Sequence, residues 1–324
     1  MNKIKVGIVG GAGYTGGELL RLLVYHPAAE IGFVHSKSKA GSFVSDVHTD
    51  LLGNTELKFT NTLDPHVDVV FLCLGHGESK KILSEHRFDP ALKIIDLSQD
   101  FRLGSSQERS FVYGLPELNR EKIRKANNIA NPGCFATSIQ LALLPLAKKK
   151  LLKSDIHIAC TTGSTGAGQM LSESSHFSWR ASNLSVYKPF THQHLGEIQQ
   201  SLKYLQGDFD KDLVMLPQRG AFTRGILSCV TLKVTDDLDL LYSLYAKYYQ
   251  EHPFVHLSLK NIDLKQVVNT NKCVLYLEKH NDQLMIVSIL DNLLKGASGQ
   301  AVQNMNLLFG QAETAGLNLK ATAF

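Results

Sequence analysis

The chain reads as an α/β protein, a doubly wound parallel sheet followed by a second sheet, mixed or antiparallel. Three observations carry this. The first third alternates short apolar runs with helix-like segments, the pattern of parallel strands covered on both faces. A glycine-rich turn, Gly10-Gly11-Ala12-Gly13-Tyr14-Thr15-Gly16, follows the first apolar run at once. Beyond about residue 150, strand-like runs dominate, many with period-2 alternation, and helices are few.

The elements follow in order. Ile4–Val9 is a short apolar strand that stops at Gly10-Gly11, and 18–25 carries a leucine-rich helical face closed by His26-Pro27. Strands are expected at 31–34, 67–74 and 93–97. The turn Asn131-Pro132-Gly133-Cys134 opens a long helix to about Lys150. Ile156–Thr162 is a strand entering a Gly/Ser/Thr-rich loop at 163–168. Further strands are read at 213–216, 226–234, 273–278 and 284–290, with amphipathic helices at Leu238–Tyr249 and 299–315.

Composition narrows the classes of function. With 324 residues and 44% apolar content the chain can fill sizeable cores, so disorder is excluded and two domains are expected. The most apolar stretch, 141–147, is interrupted by Pro145 and falls far short of the ~20 residues of a membrane span. Met1 to Lys5 leads into an apolar run ending at glycines, so no secretory leader is expected. The +4 balance, 34 basic against 30 acidic residues, is scattered and forms no nucleic-acid stripe; Lys148-Lys149-Lys150 reads as a solvated helix end. Five dispersed cysteines without CxxC spacing imply reduced thiols and a cytoplasmic setting.

Gly11-x-Gly13-x-x-Gly16, or equally Gly10-x-x-Gly13-x-x-Gly16, lies between a strand and a helix, the context of a dinucleotide fingerprint. Glycines there let backbone N–H groups approach a pyrophosphate, and the helix start adds positive potential. Where an NAD site places a carboxylate after the second strand, this chain has His35-Ser36-Lys37-Ser38-Lys39. Hydroxyls and ammonium groups suit a 2′-phosphate, so NADP(H) is the expected cofactor.

Cys134 stands at a helix start, where a thiolate is favoured over a thiol, and is the candidate nucleophile. Cys73, Cys160, Cys229 and Cys273 lie in strands and read as packing residues. His192-Gln193-His194 with Glu197 offers a general base oriented by a carboxylate, or else a surface turn before a helix. His-x-His is also a familiar zinc pair, but zinc needs three or four ligands and no further cluster is near, so no metal is expected.

Together these segments resemble the N-acetyl-gamma-glutamyl-phosphate reductases. The glycine loop through Leu19, Ser45-Asp46-Val47-His48, the run from Ile95 to Arg102 and Tyr113-Gly114-Leu115-Pro116-Glu117-Leu118-Asn119 appear in that family's order. Asn131-Pro132-Gly133-Cys134, His192-Gln193-His194-x-x-Glu197-Ile198, Thr223-Arg224-Gly225-Ile226-Leu227 and the run from Asp291 to Asn304 follow. The match extends from about Val6 to Leu317.

The resemblance implies a Rossmann dinucleotide-binding domain plus a mixed α/β catalytic domain of the semialdehyde dehydrogenase type. The expected divisions are 1–133 for NADP, 134–295 for catalysis and oligomerisation, and 296–324 as a C-terminal helix returning to the first domain. It implies NADPH-dependent reduction of N-acetyl-glutamyl 5-phosphate to the semialdehyde through a thioester on Cys134, with phosphate released, in arginine biosynthesis. His192 is the favoured proton carrier and His194 the alternative, with Glu197 orienting it or binding substrate. Gly10, Gly13, Tyr14, Thr15, Gly16, Ser36, Lys37, Ser38 and Asn292 are implied at the cofactor, and Ser98, Arg102 and Arg224 at the substrate. Arg224 has a structural salt bridge as its alternative. The expected partners are the acyl-phosphate substrate, phosphate and copies of the chain in a homodimer or homotetramer, with no nucleic acid or membrane.

Gln193 and Gly196 stand where the family commonly has arginine and proline, and Gly75 where it has proline. N-acetyl-aminoadipyl or N-succinyl-glutamyl phosphate are therefore kept as alternative substrates. A non-catalytic NADP-binding protein and a zinc hydrolase are the readings from other classes.

Overall fold

The computed structural model describes residues 3–104 and 109–322; the outermost ends of the expected first and last divisions, 1–2 and 323–324, lie outside the described residues. The chain forms two compact units, one of Met1–Pro132 with Ala297–Asn318, the other of Gly133–Gly296 with Leu319–Phe324.

In the first unit the elements are β1 (Ile4–Val9), α1 (Tyr14–Leu23), β2 (Ala29–His35), β3 (Phe59–Thr60), β4 (Val69–Leu72), α2 (Glu78–Glu85), β5 (Lys93–Asp96), β6 (Val112–Tyr113), α3 (Pro116–Arg124) and β7 (Asn128–Ala130). The seven strands order β3-β2-β1-β4-β5-β7-β6, all parallel. Val6, Ile8, Val9, Val69, Val70, Ile94 and Ile95 are fully buried, as strands covered on both faces require. Strand order reverses beside β1, so the glycine turn after Val9 sits at a topological switch point, where such sheets bind ligands.

The second unit carries α4 (Cys134–Lys148), β8 (Ile156–Thr162), α5 (Phe177–Arg180), β9 (Ser185–Val186), α6 (His194–Leu205), β10 (Leu213–Arg219), β11 (Ile226–Lys233), α7 (Leu238–Tyr249), β12 (Val255–Ser258), β13 (Cys273–His280) and β14 (Gln283–Leu290). Its seven-stranded sheet orders β12-β13-β14-β11-β8-β10-β9 and is mixed, with an antiparallel centre. Helix α4 lies on this sheet with every residue from Phe135 to Ala147 buried.

Pro145 sits inside α4 and has no N–H to give the carbonyl of Leu141 four residues back. Tyr249 of α7 supplies the missing donor, its hydroxyl bonding Leu141 O at 2.5 Å, and Tyr245 donates likewise to Ala142 O. One turn beyond Cys134, the Ser138 hydroxyl meets those of Ser228 and Ser288 at 2.9 and 3.0 Å, pinning the helix to β11 and β14.

The last helix, α8 (Ser298–Leu308), belongs to the first unit and is buried along its whole length. It packs on α1 and α3, and its Asn304 donates to Gly114 O and to Asn131 Oδ1. It ends earlier than the expected 315, because Gly310 turns the chain into the left-handed region at φ 63°. Helix α1 begins earlier than expected, at Tyr14 directly after the glycine turn.

Candidate active site

Each glycine of the first turn answers a specific crowding. Gly10 has φ 80° and a Cβ there would overlap the Cys73 carbonyl; one on Gly11 would strike Val34. One on Gly16 would come 2.6 Å from Gly11 Cα, so Gly16 lets α1 start tight against the turn. His48, from the Ser45-Asp46-Val47-His48 run, donates from Nε2 to Gly11 O at 2.8 Å and holds the turn from outside. Helix α1 starts at Gly13-Tyr14-Thr15 with no side-chain cap and no acidic residue in its first turn. Its positive end is thereby left to an external anion. After β2, Ser36 is buried, while Lys37, Ser38 and Lys39 are exposed on a turn. Ser98 and Arg102 are buried in the same unit. The Ser98 hydroxyl donates to Asp96 at 2.7 Å, and Arg102 donates to Asn131 O and Leu97 O, both at 2.9 Å.

In the second unit, α4 opens at Cys134 with Gly133 as its extended N-cap. No side chain of its own caps this end. Instead Oε2 of Glu197, on α6, accepts the Gly133 N–H at 2.9 Å. The other Glu197 oxygen lies 3.9 Å from Nε2 of His194. That ring fits flat against Gly133, where any Cβ would overlap it. Glu197 thus ties the cysteine turn and His194 to one buried carboxylate.

His192 stands just before α6 and is 4% exposed; the two histidines point inward while Thr191 and Gln193 beside them are exposed. Its Nδ1 accepts the His194 N–H at 3.2 Å, which leaves the neutral ring's proton on Nε2. The His192 ring stands edge-on to Phe135, His194 and Tyr187, with centroids 5.5, 4.6 and 5.7 Å away. Burial, helped by the charges of Lys188 and Arg219, pushes His192 down to about 4 from 6.5.

The shift fixes a pH dependence. The unfolded chain takes up this proton near pH 6.5, while the native ring does so only near 4. The His192 contribution is fully present above pH 6.5 and is lost as pH falls toward 4, a loss of about 3 kcal/mol. Urea midpoints measured from pH 7.5 to 4.5 should show this slope, and His192→Gln should flatten it. Equal slopes in the two proteins would reject the assignment.

Burial raises the thiol of Cys73 to about 12 and that of Cys160 further, with the nearby Cys134 adding to the rise at Cys160. Cys229 is also raised by burial. Such thiols are poor nucleophiles at neutral pH. Arg224 forks onto Asp291, with Nε to Oδ2 at 3.0 Å and Nη2 to Oδ1 at 3.2 Å. Asn292 accepts the Gly225 N–H at 2.7 Å and donates to Thr165 Oγ1 at 3.0 Å, latching the 163–168 loop to 223–225.

Two residues escaped the sequence reading. Tyr187 packs beside His192, and Arg219, the last residue of β10, lays its guanidinium 4.6 Å over the Tyr187 ring. Gln218-Arg219-Gly220 has no motif to signal it; only its place at the carboxyl end of a strand could have drawn attention. Among the described residues no group of three His, Cys, Asp or Glu side chains gathers to hold a metal ion, and no helix is long and apolar enough to cross a membrane.

Comparison with known proteins covers both units. Residues 5–126 match the family described as semialdehyde dehydrogenase, NAD binding domain, and 134–292 that described as semialdehyde dehydrogenase, dimerisation domain. The N-acetyl-gamma-glutamyl-phosphate reductase of Flavobacterium johnsoniae is 56% identical over 324 residues, covering 99% of this chain and 100% of the relative. The protein of that name from Phocaeicola vulgatus is 55% identical over 322 residues, with coverage of 99% and 100%. Among solved structures, aspartate semialdehyde dehydrogenase II from Vibrio cholerae superposes with a TM-score of 0.73 at 18% identity, over 96% of this chain and 99% of that one. The Candida albicans enzyme, solved with NADP, gives 0.68 at 14% identity, over 95% and 99%.

Proposed function

The chain belongs to the N-acetyl-gamma-glutamyl-phosphate reductases of the semialdehyde dehydrogenase family, and from that premise we propose that Cys134 performs its acyl transfer. The reaction is the NADPH-dependent reduction of N-acetyl-L-glutamyl 5-phosphate to N-acetyl-L-glutamate 5-semialdehyde and phosphate, a step of arginine biosynthesis. The observation that carries the site is the α4 N-terminus, where Cys134 and two buried histidines meet around the Glu197 clamp.

The Cys134 sulfur attacks the acyl carbon, a C–S bond forms, and the C–O bond to phosphate breaks. The resulting thioester, unlike a carboxylate, accepts hydride readily, so one hard step becomes two easier ones. NADPH, when bound, would supply that hydride. A proton delivered to the acyl oxygen gives a thiohemiacetal. Loss of the hydroxyl proton and cleavage of the C–S bond then release aldehyde and thiolate. For the proton transfers we favour His194 over His192. Its carboxylate partner Glu197 stabilises the imidazolium, whereas His192 stays neutral and is suited to donate a hydrogen bond from Nε2. Arg224 and Asn292 hold the loops around the cysteine through Asp291, Thr165 and Gly225.

The first unit fits NADP(H). Gly10, Gly13, Tyr14, Thr15 and Gly16 would offer the uncapped α1 start to the pyrophosphate, and Ser36, Lys37 and Ser38 would meet the 2′-phosphate, with Lys39 beside them in sequence. The protein works in the cytoplasm as a homodimer or homotetramer. Support comes from the match to a dimerisation domain and from Met170, Leu171 and Phe177, which are 87%, 98% and 82% exposed.

The test is oxidation of N-acetylglutamate semialdehyde with NADP and phosphate. We expect phosphate-dependent turnover, with kcat/KM for NADP at least ~100-fold above that for NAD. Replacing Lys37 and Lys39 together by alanine should erase about 10- to 100-fold of that preference. Equal kcat/KM with both cofactors in the wild type would end the NADP reading.

A further inference from the structure

The first turn is built from residues that impose little conformation of their own, with Gly11 and Gly13 on either side of Ala12. Between glycines, the Gly11–Ala12 peptide turns over at small steric cost. Which way its N–H points is therefore set by whatever holds it. The Gly10 and Gly11 N–H groups both donate to His35 O, at 3.1 and 3.0 Å, and the Gly13 N–H donates to Gly10 O at 3.3 Å. The Ala12 N–H makes no bond among the described residues, and Ala12 is half-buried.

One side chain supplies the hold. His48, 9% exposed, donates from Nε2 to Gly11 O at 2.8 Å. A trans peptide carries its C=O and its N–H in opposite directions. Pinning Gly11 O toward His48 therefore turns the Ala12 N–H away from His48, as an uncommitted donor next to the uncapped start of α1. The histidine is itself braced. It follows the short turn Val44–Asp46, which is closed by the Phe43 N–H on Asp46 Oδ2 at 3.0 Å. The Val44 N–H donates to Leu57 O at 2.8 Å, and the His48 N–H donates to Val44 O at 2.9 Å. On α1, Gly17 makes room for the ring, since a Cβ there would lie 2.6 Å from its Nδ1 and Cε1. Glycine is a poor helix former, so at this helical position its value is the space it leaves.

We propose that His48 is a positioning residue for the cofactor. By fixing the Gly11–Ala12 peptide it keeps the Ala12 N–H ready for the pyrophosphate of the dinucleotide. The proposal rests on the reading of the glycine turn as the NADP(H) site and deepens it. It carries a signature of its own. His48 acts at the pyrophosphate end, so its loss weakens a dinucleotide and spares a ligand that has the 2′-phosphate without a pyrophosphate. Loss of Lys37 and Lys39 weakens both.

Calorimetric titration of the whole chain with NADP and with adenosine 2′-monophosphate tests this in wild type, His48→Leu, His48→Gln and Gly17→Ala. Leucine fills a similar volume without a donor, glutamine offers an amide N–H, and Gly17→Ala keeps the histidine but displaces its ring. In His48→Leu and Gly17→Ala the Kd for NADP should rise about 10- to 100-fold while that for adenosine 2′-monophosphate stays unchanged. His48→Gln should recover part of the loss. Circular dichroism identifies the folded variants, and if His48→Leu does not fold, Gly17→Ala decides by the same reading. An unchanged Kd for NADP overturns the proposal, since a merely structural histidine lowers the unfolding midpoint and not the affinity of the folded chain. An equal rise for adenosine 2′-monophosphate also overturns it, because it places the effect of His48 at the 2′-phosphate. If the wild type binds no NADP, the cofactor reading falls and the proposal with it. Binding of NADP by wild type and variants with one affinity removes the proposal alone.

Discussion

Cys134→Ser is expected to lower kcat by about 10⁴ or more, with little change in fold. The replaced atom is the one that becomes covalently bound, so nothing else on α4 substitutes for it. Serine preserves the shape of the α4 start, and the Glu197 bond to the Gly133 N–H is untouched. Its hydroxyl is not ionised at neutral pH, and the ester it would form accepts hydride less readily than a thioester. Single-turnover mixing of the enzyme with acyl phosphate and NADPH separates the steps. The wild type should release phosphate in a burst, and the variant should show none. A variant that keeps near-normal turnover would remove the covalent route altogether. Cys160→Ser serves as the comparison, since that thiol is buried and raised, and its kcat should stay within a few-fold.

Gly133→Ala should be nearly as damaging to turnover, for a reason of space and not of backbone. Gly133 has φ −71° and ψ 153°, which alanine adopts freely. Its new methyl group would, however, occupy the position of the His194 imidazole. The ring must leave, and with it goes the alignment to Glu197. We expect kcat to fall by ~10² or more, as misplacement of a reacting group by about 1 Å does. Overpacking should cost about 1–3 kcal/mol of stability, so the variant remains folded at 25 °C. A kcat within three-fold of wild type would show that His194 does not act where it stands. Glu197→Gln adds a finer reading. It keeps an oxygen for the Gly133 N–H but removes the charge near His194, so a lowered acidic limb in the pH profile of kcat is the expected sign.

The sheet frameworks were legible because apolar runs and punctuation coincide. Ile4–Val9 ends at glycine, Ile156–Thr162 enters a Gly-rich loop, and Leu238–Tyr249 shows one apolar face; all three are found at those bounds. The short strands Phe59–Thr60, Val112–Tyr113 and Ser185–Val186 went unread, since two residues hold no periodicity. Cys134 and the histidines announced themselves through motif context. Arg219 did not, because its place over the Tyr187 ring, beside His192, joins side chains far apart in sequence, and only coordinates reveal that. The functional weight given to Arg224 from its place in the sequence met an aspartate 67 residues away at bonding distance. Long-range pairing of that kind leaves no local signature.

The return of α8 to the first unit also sets an order of assembly on the ribosome. Helices α1 and α3 are made early, yet the helix that covers them, with the His26–Asn306 bond and the Arg120–Glu313 ion pair, comes from the last part of the chain. At roughly 5–20 residues per second, the interval is about 10–40 s. During it the nascent first unit carries an uncovered apolar face while the second unit, contiguous in sequence, is free to fold. The dinucleotide-binding unit is therefore completed only after the whole of 133–296 has been made, so a chain stalled between the two would present chaperones with a finished second unit and an unfinished first one.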